Sequence, residues 1–96
     1  MKIQWHDKAV AELEDAALYY GDIDEVLGER FATAAEVAVA ELKARPVQPR
    51  KFEGEARKVR LKRFPYAVIY WLEKDTLHLV SVMDLQREPG YWKHRL

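Results

Sequence analysis

The stretch RKVRLKRFPYAVIYW, running from Arg57 to Trp71, decides the fold of this chain. Lys58, Arg60 and Lys62 alternate with Val59 and Leu61, a period of two that builds a strand with one wet, cationic face. Phe64-Pro65 breaks that strand, because proline cannot donate to a ladder. Tyr66 to Leu72 is then almost continuously apolar and β-prone, as expected of a central strand covered on both faces. Lys74-Asp75 predicts a tight turn, and Leu77 to Met83 forms another β-prone run whose only ionisable group is His78. Antiparallel pairing of these three strands is the economical solution. Pro89 then opens a short tail, GYWKHRL, expected to form one helical turn.

Upstream of Arg57 the period lengthens to that of a helix. Lys2 to Trp5 alternates and suits a short strand. Val10, Leu13, Ala17 and Tyr20 then mark one apolar helical face, with Glu12, Glu14 and Asp15 turned to water. Asp7 is the expected N-cap and Gly21 the expected stop. Asp22, with Glu25 three residues on, predicts a capping box that opens a second helix. Its apolar stripe is Leu27, Phe31, Ala34, Ala35, Ala38 and Leu42, and Pro46 ends it. Small residues on the stripe predict an antiparallel helical hairpin. Gly28 inside the second helix is expected to cost about 1 kcal/mol relative to Ala. The reading is an α+β chain of order β-α-α-β-β-β, residues 1–96 forming a single domain, with an antiparallel sheet packed against an N-terminal helical hairpin.

Composition narrows the chemistry. With no cysteine there is neither a disulfide framework nor thiolate chemistry. No run approaches the roughly 20 apolar residues that span a bilayer, and the first ten residues lack a signal-peptide core, so a cytoplasmic protein without membrane partners is expected. The net charge of zero hides a polarity: residues 1–44 carry ten acids and four bases (−6), residues 45–96 six acids and twelve bases (+6). His6, His78 and His94 are too scattered for metal ligation, and Asp22, Asp24 and Glu25 lack the rest of a calcium loop. There is no glycine-rich phosphate loop, and Ser81, the only serine, has no nucleophile elbow around it. No metal and no cofactor are expected.

Specific residues then meet this order of elements. Tyr20 precedes the inter-helix turn, Gly28 and Phe31 lie in the second helix, and Leu42-x-x-x-Pro46 forms its exit. Arg63-Phe64-Pro65-Tyr66 runs into Ile69-Tyr70, and Arg87-x-Pro89-x-Tyr91-Trp92 ends the chain. With these motifs the whole sequence resembles the RelE/ParE superfamily of type II toxin–antitoxin toxins, the plasmid-stabilisation group, and is more similar to ParE than to RelE.

The resemblance implies a small bacterial toxin neutralised by a cognate antitoxin in a hetero-oligomer. RelE-like members cleave messenger RNA on the ribosome, whereas ParE-like members inhibit DNA gyrase without being nucleases. Metal-free RNA cleavage needs cations against the phosphate and groups that move protons. Here Ala67 follows Tyr66 where ribonuclease relatives place an Arg, and Asp84 stands where many carry His, an acid that repels phosphate. The favoured expectation is therefore a toxin that binds rather than cuts. Its partner-binding residues are Lys58, Arg60, Lys62, Arg63, Arg87, Tyr91 and Trp92. The alternatives are an mRNA endonuclease using Arg57, Arg60, Arg63, Arg87 and Tyr91, and a non-toxic relative that only binds an antitoxin. Tyr66, Tyr70 and Trp71 are expected to pack rather than to stack on bases, His78 to be a satisfied strand residue, and Arg87 to pair with Glu88.

Overall fold

The computed structural model describes residues 1–87 and 90–96. The chain runs β1 (Lys2–Trp5), α1 (Asp7–Ile23), α2 (Glu25–Ala44), β2 (Arg57–Arg60), β3 (Tyr66–Glu73) and β4 (Thr76–Asp84), then a 3-10 turn over Lys93–Arg95. The sheet order is β1-β4-β3-β2. β2, β3 and β4 pair antiparallel, as the Lys74-Asp75 turn and the Phe-Pro-Tyr corner require. β1 joins β4 in parallel, so the sheet is mixed: the chain reaches β4 from β1 only after crossing the helical hairpin. Among the described residues no helix is long and apolar enough to cross a membrane.

Several local expectations are corrected. The cap of α1 is His6, whose Nδ1 accepts from the Lys8 amide at 3.1 Å, and Asp7 is the first helical residue. Gly21 does not stop α1, which continues to Ile23. Asp24 is both the C-cap of α1 and the N-cap of α2, its Oδ1 accepting from Val26 N at 2.8 Å, so the predicted Asp22–Glu25 capping box does not form. A single extended residue suffices to reverse the chain. β2 ends at Arg60; Lys62 and Arg63 belong to the turn before Tyr66, closed by Leu61 N donating to Tyr66 O at 2.9 Å. The expected Arg87–Glu88 pair and the opening of the tail at Pro89 lie outside the described residues.

Gly28 reverses its expected role. A Cβ placed there falls 2.7 Å from Gly21 Cα, 3.0 Å from Gly21 N and 3.2 Å from Ala17 O. The glycine is the point at which α1 and α2 touch backbone to backbone, and the propensity it forgoes is the condition for a tight hairpin.

The hairpin covers one face of the sheet. Phe31, Ala35, Ala38 and Leu42 of α2 pack on Val68, Tyr70, Leu77, Leu79 and Val82, with Leu61 and Phe64 closing the end. Four rings form the centre of this end. Phe31 lies 5.2 Å from Tyr20 and 5.1 Å from both Phe64 and Tyr66, and Tyr20 lies 4.9 Å from Phe64. The motif residues of the resemblance are thus scattered in sequence and gathered in space.

The opposite face carries a smaller core of Ala56, Ala67, Ile69, Val80, Met83 and Trp92, with Trp71, Leu85 and Tyr91 around it. The tail supplies its largest member: Trp92 is 1% exposed and meets Phe52 edge-on at 5.6 Å. Burial removes Trp92 from the partner-binding set predicted above, because its ring is spent inside the molecule.

Candidate functional site

Two regions of the surface carry chemistry. The first is the basic corner at the β2 edge. Lys58, Arg60, Lys62 and Arg63 are all exposed there. Lys58 Nζ sits 4.9 Å from the centroid of Phe52, which leaves its charge at the surface while its stem covers apolar area. Arg63 holds φ at +69°, in the left-handed region that a side chain disfavours. That conformation lets the chain turn within the short link from Arg60 to Tyr66.

Arg57 does not join this corner. Its Nη1 donates to Val47 O at 3.1 Å and to Pro49 O at 2.6 Å, fastening the connector after α2 against β2. Tyr70 assists by donating to Pro46 O at 2.7 Å, and burial pushes its hydroxyl pKa up. Arg57 is therefore engaged in holding the fold, and half-buried Arg57 with buried Tyr70 explains how a proline-rich link is kept in place.

The second region lies where β1 runs out. β1 pairs with β4 only as far as Trp5 opposite Leu79, and among the described residues no strand flanks the continuation of β4 to Asp84 on that side. A bulge sits at this point: Ile69 opposes Ser81 but Tyr70 opposes Leu79, leaving Val80 as the extra residue. The open backbone is satisfied by side chains. Glu12 of α1 accepts from Val82 N at 3.0 Å, from Ser81 Oγ at 2.9 Å and from Arg95 Nη1 at 2.9 Å. Arg95 also donates to Val80 O at 3.1 Å. Arg95 and Glu12 are only 7% and 17% exposed, so the pair sits in a low-dielectric setting, held through Arg95 Nη1 while the buried Arg95 Nε has no partner among the described residues.

Sequence periodicity turned Glu12 to water, and it dismissed Ser81 and passed over Arg95. Each is part of one buried network. Nothing in the local pattern signals it, because the need for Glu12 arises from a strand edge 70 residues away. The near absence of other polar groups in the run from Leu77 to Met83 was the one available clue.

Arg87 and Tyr91 lie beside this network. The Arg87 guanidinium stands 4.1 Å from the Tyr91 ring centroid, and Tyr91 Oη is 3.3 Å from Ser81 Oγ. Burial raises the Tyr91 pKa, opposed by the Ser81 hydrogen bond, so its hydroxyl is a neutral donor at pH 7. Between α1, the end of β4 and the tail opens a cleft of about 490 Å³ whose lining includes Asp15, Tyr19, Tyr20, Tyr66, Asp84 and Arg87. Burial, then the charge of Asp84, push the Tyr66 hydroxyl up to about 12.

The structure therefore separates the predicted site residues. Arg60 and Lys62 share a depression beside α2, Lys62 and Arg63 another with Arg30, and Arg87 and Tyr91 the acid-lined cleft. His78 is stacked on Trp71 at 4.2 Å and reaches Glu73 at 3.2 Å, an arrangement that holds a strand side chain in place.

A helical hairpin on one face of a four-stranded sheet, entered through a Phe-Pro-Tyr corner, is the architecture of the small RelE/ParE-type toxins. Within that class the family is specific. The chain belongs to the ParE toxins of type II toxin–antitoxin (parDE) systems, whose family model matches residues 3–89. A solved structure described as the chromosomal ParDE TA system from P. aeruginosa shares the fold. Its TM-score is 0.68 at 18% identity, over 90% of this chain and 97% of that one. No curated protein sequence matches the chain.

Proposed function

We propose that this ParE-family chain acts as one cytoplasmic toxin domain that inhibits an essential complex by binding it, DNA gyrase being the first candidate, and that a cognate antitoxin neutralises it in a hetero-complex. The observation that carries the binding reading is the fate of the cationic set. Arg57 is spent on the Val47 and Pro49 carbonyls, and Arg87 shares its cleft with Asp84 rather than with Arg60 or Arg63. Phosphate cleavage needs cations that converge on one reacting group. Cations spread along an edge strand instead suit an extended acidic segment, which gains from steering as well as from contact. Lys58, Arg60, Lys62 and Arg63 are the residues of this chain proposed to receive the antitoxin.

Induction of the chain without its antitoxin tests the reading. Filamentation and altered DNA supercoiling with intact messages are expected. Immediate arrest of translation with cut messages overturns the proposal in favour of the endonuclease, and unhindered growth in favour of a non-toxic antitoxin-binding relative. The substitutions Lys58→Glu, Arg60→Glu and Lys62→Glu, made together, are expected to weaken binding of the antitoxin encoded beside the toxin by at least roughly tenfold, a loss of about 1.4 kcal/mol. Unchanged affinity would leave the corner as a solvated strand face.

A further inference from the structure

We propose that the cleft between α1 and the free end of β4 is a binding site for an arginine side chain presented by a partner protein. The proposal rests on the reading that the toxin is held by a protein partner, and it gives that partner a second, oppositely charged anchor.

The cleft exists because β4 outruns β1. Glu12 and Arg95 satisfy the exposed strand backbone at Val80 and Val82, and the cleft opens alongside, where α1 passes the last residues of β4. Its walls are tyrosine rings. Tyr19 is 60% exposed and stands edge-on to Tyr20 at 5.1 Å, while Tyr20 and Tyr66 are 6.1 Å apart. Two carboxylates complete it. Among the described residues the Asp15 carboxylate makes no hydrogen bond or ion pair, and the Asp84 carboxylate accepts only from the Gln86 amide at 2.9 Å.

The charges do not cancel locally. The Glu12 carboxylate is already matched by Arg95 at 2.9 Å. Arg87, the remaining cation on the lining, lies over Tyr91 and forms no ion pair with Asp15 or Asp84 among the described residues. A cavity with aromatic faces and unmatched carboxylates selects a cation with a flat, weakly hydrated face, which describes guanidinium better than ammonium. The planar fork also meets a carboxylate through two donors at once. The same acids repel a phosphate backbone, so the occupant is a protein rather than a nucleic acid. Asp84 already acts on this space: its charge contributes to the raised pKa of the hydroxyl of Tyr66, its cross-strand neighbour on β3. At about 490 Å³ the cleft is large enough for an arginine together with flanking backbone.

The complementarity with the basic corner is specific. A partner segment that places acidic residues on Lys62 and Arg63 and an arginine between Tyr19 and Asp84 grips the chain at both sides of the Phe-Pro-Tyr corner. Reversing the order of charges in that segment opposes like charges at both sites.

The test is an amide NMR titration of the full chain with a capped Gly-Gly-Arg-Gly-Gly peptide at low salt. Saturable shifts are expected around Asp15, Tyr19, Tyr66 and Asp84. Asp84→Asn keeps the oxygen that accepts from Gln86 and so preserves the turn. It is expected to weaken binding by roughly threefold to tenfold, as is Tyr19→Ala at its exposed position. The same peptide with citrulline, which is uncharged, is expected not to bind in the cleft. The pair Lys62→Glu and Arg63→Glu should leave this titration unchanged, so failure at the basic corner and failure here are distinguishable. Equal binding of the citrulline peptide, shifts elsewhere, or no shifts at millimolar peptide overturns the proposal. So does spermidine occupying the cleft more tightly than the peptide, which would mark a site for free polycations.

Discussion

The two faces of the sheet are covered by different means. On one, α1 and α2 lay a continuous apolar stripe over Val68, Tyr70, Leu77, Leu79 and Val82. On the other, a short tail covers Ile69, Val80 and Met83 with one large ring, Trp92, and is tied down through Arg95 to Glu12 on α1. The first face is held by area and shape, the second by a single aromatic anchor and a buried ion pair. The difference predicts how each fails. A hydrophobic face loses stability in proportion to what is cut away, whereas a buried pair loses most when one partner leaves and the other stays charged.

The largest effect is expected at the centre of the ring cluster. Phe31→Ala removes a side chain with no exposure, in contact with Tyr20, Phe64 and Tyr66, and should cost about 3–5 kcal/mol in urea unfolding. Next, Glu12→Ala strands the Arg95 charge, Val82 N and Ser81 Oγ together, for an expected loss of about 3 kcal/mol. Its distinguishing readout is local: limited proteolysis should cut the tail first, while the hairpin amides keep their exchange protection. If tail and hairpin open together, the two faces are one cooperative unit and the contrast fails.

The hairpin offers a sharper test of shape. Gly28→Ala raises helix propensity, yet its Cβ meets Gly21 backbone at 2.7 Å, so about 1–3 kcal/mol of destabilisation is expected. Gly21→Ala finds nothing within 4 Å of its Cβ and lies inside α1, so it should stabilise by about 0.5–1 kcal/mol. Thermal unfolding of the two variants should therefore move in opposite directions.

These contrasts also explain what the sequence made legible. Periodicity of 3.6 and then 2 announced the hairpin and the three antiparallel strands, because the forces that shape them act between near neighbours. The Phe64-Pro65-Tyr66 corner announced the family. Glu12, Ser81 and Arg95 stayed hidden because their roles come from the early end of β1 and the bulge at Val80, and neither leaves a local signature. Trp92 read as a surface aromatic for the same reason: burial in a tail depends on whether the tail docks. Asp84 was noticed as an obstacle to phosphate chemistry, but its place beside Tyr19 and Tyr66 required the fold.

Alkaline titration follows Tyr66 on the wall of the cleft. Its pKa rises from 10 to about 12 because the folded state favours the neutral hydroxyl. The stabilisation is fully present below the unfolded value near 10 and is lost as pH climbs through 12. Thermal midpoints should fall over that window, and Tyr66→Phe should flatten the fall. An equally steep fall in the variant would assign it to Tyr20, Tyr70 and Tyr91, whose pKa values are also raised.

The smallest effect in stability carries the most about function. Arg63 and Lys74 both hold positive φ, 69° and 52°, and both lie in a turn between strands. Each side chain adds about 1 kcal/mol of backbone strain that glycine would relieve, most of it offset by the greater conformational entropy of glycine in the unfolded chain. Arg63→Gly and Lys74→Gly should therefore raise the thermal midpoint by similar small amounts. Only Arg63 lies in the basic corner proposed for the antitoxin, so only Arg63→Gly should lower antitoxin affinity while stability rises. A gain in stability bought with binding is the mark of a residue kept for its charge. If both variants bind the antitoxin as the parent does, Arg63 is strained for the sake of the turn alone, and the binding face contracts to β2 and Lys62.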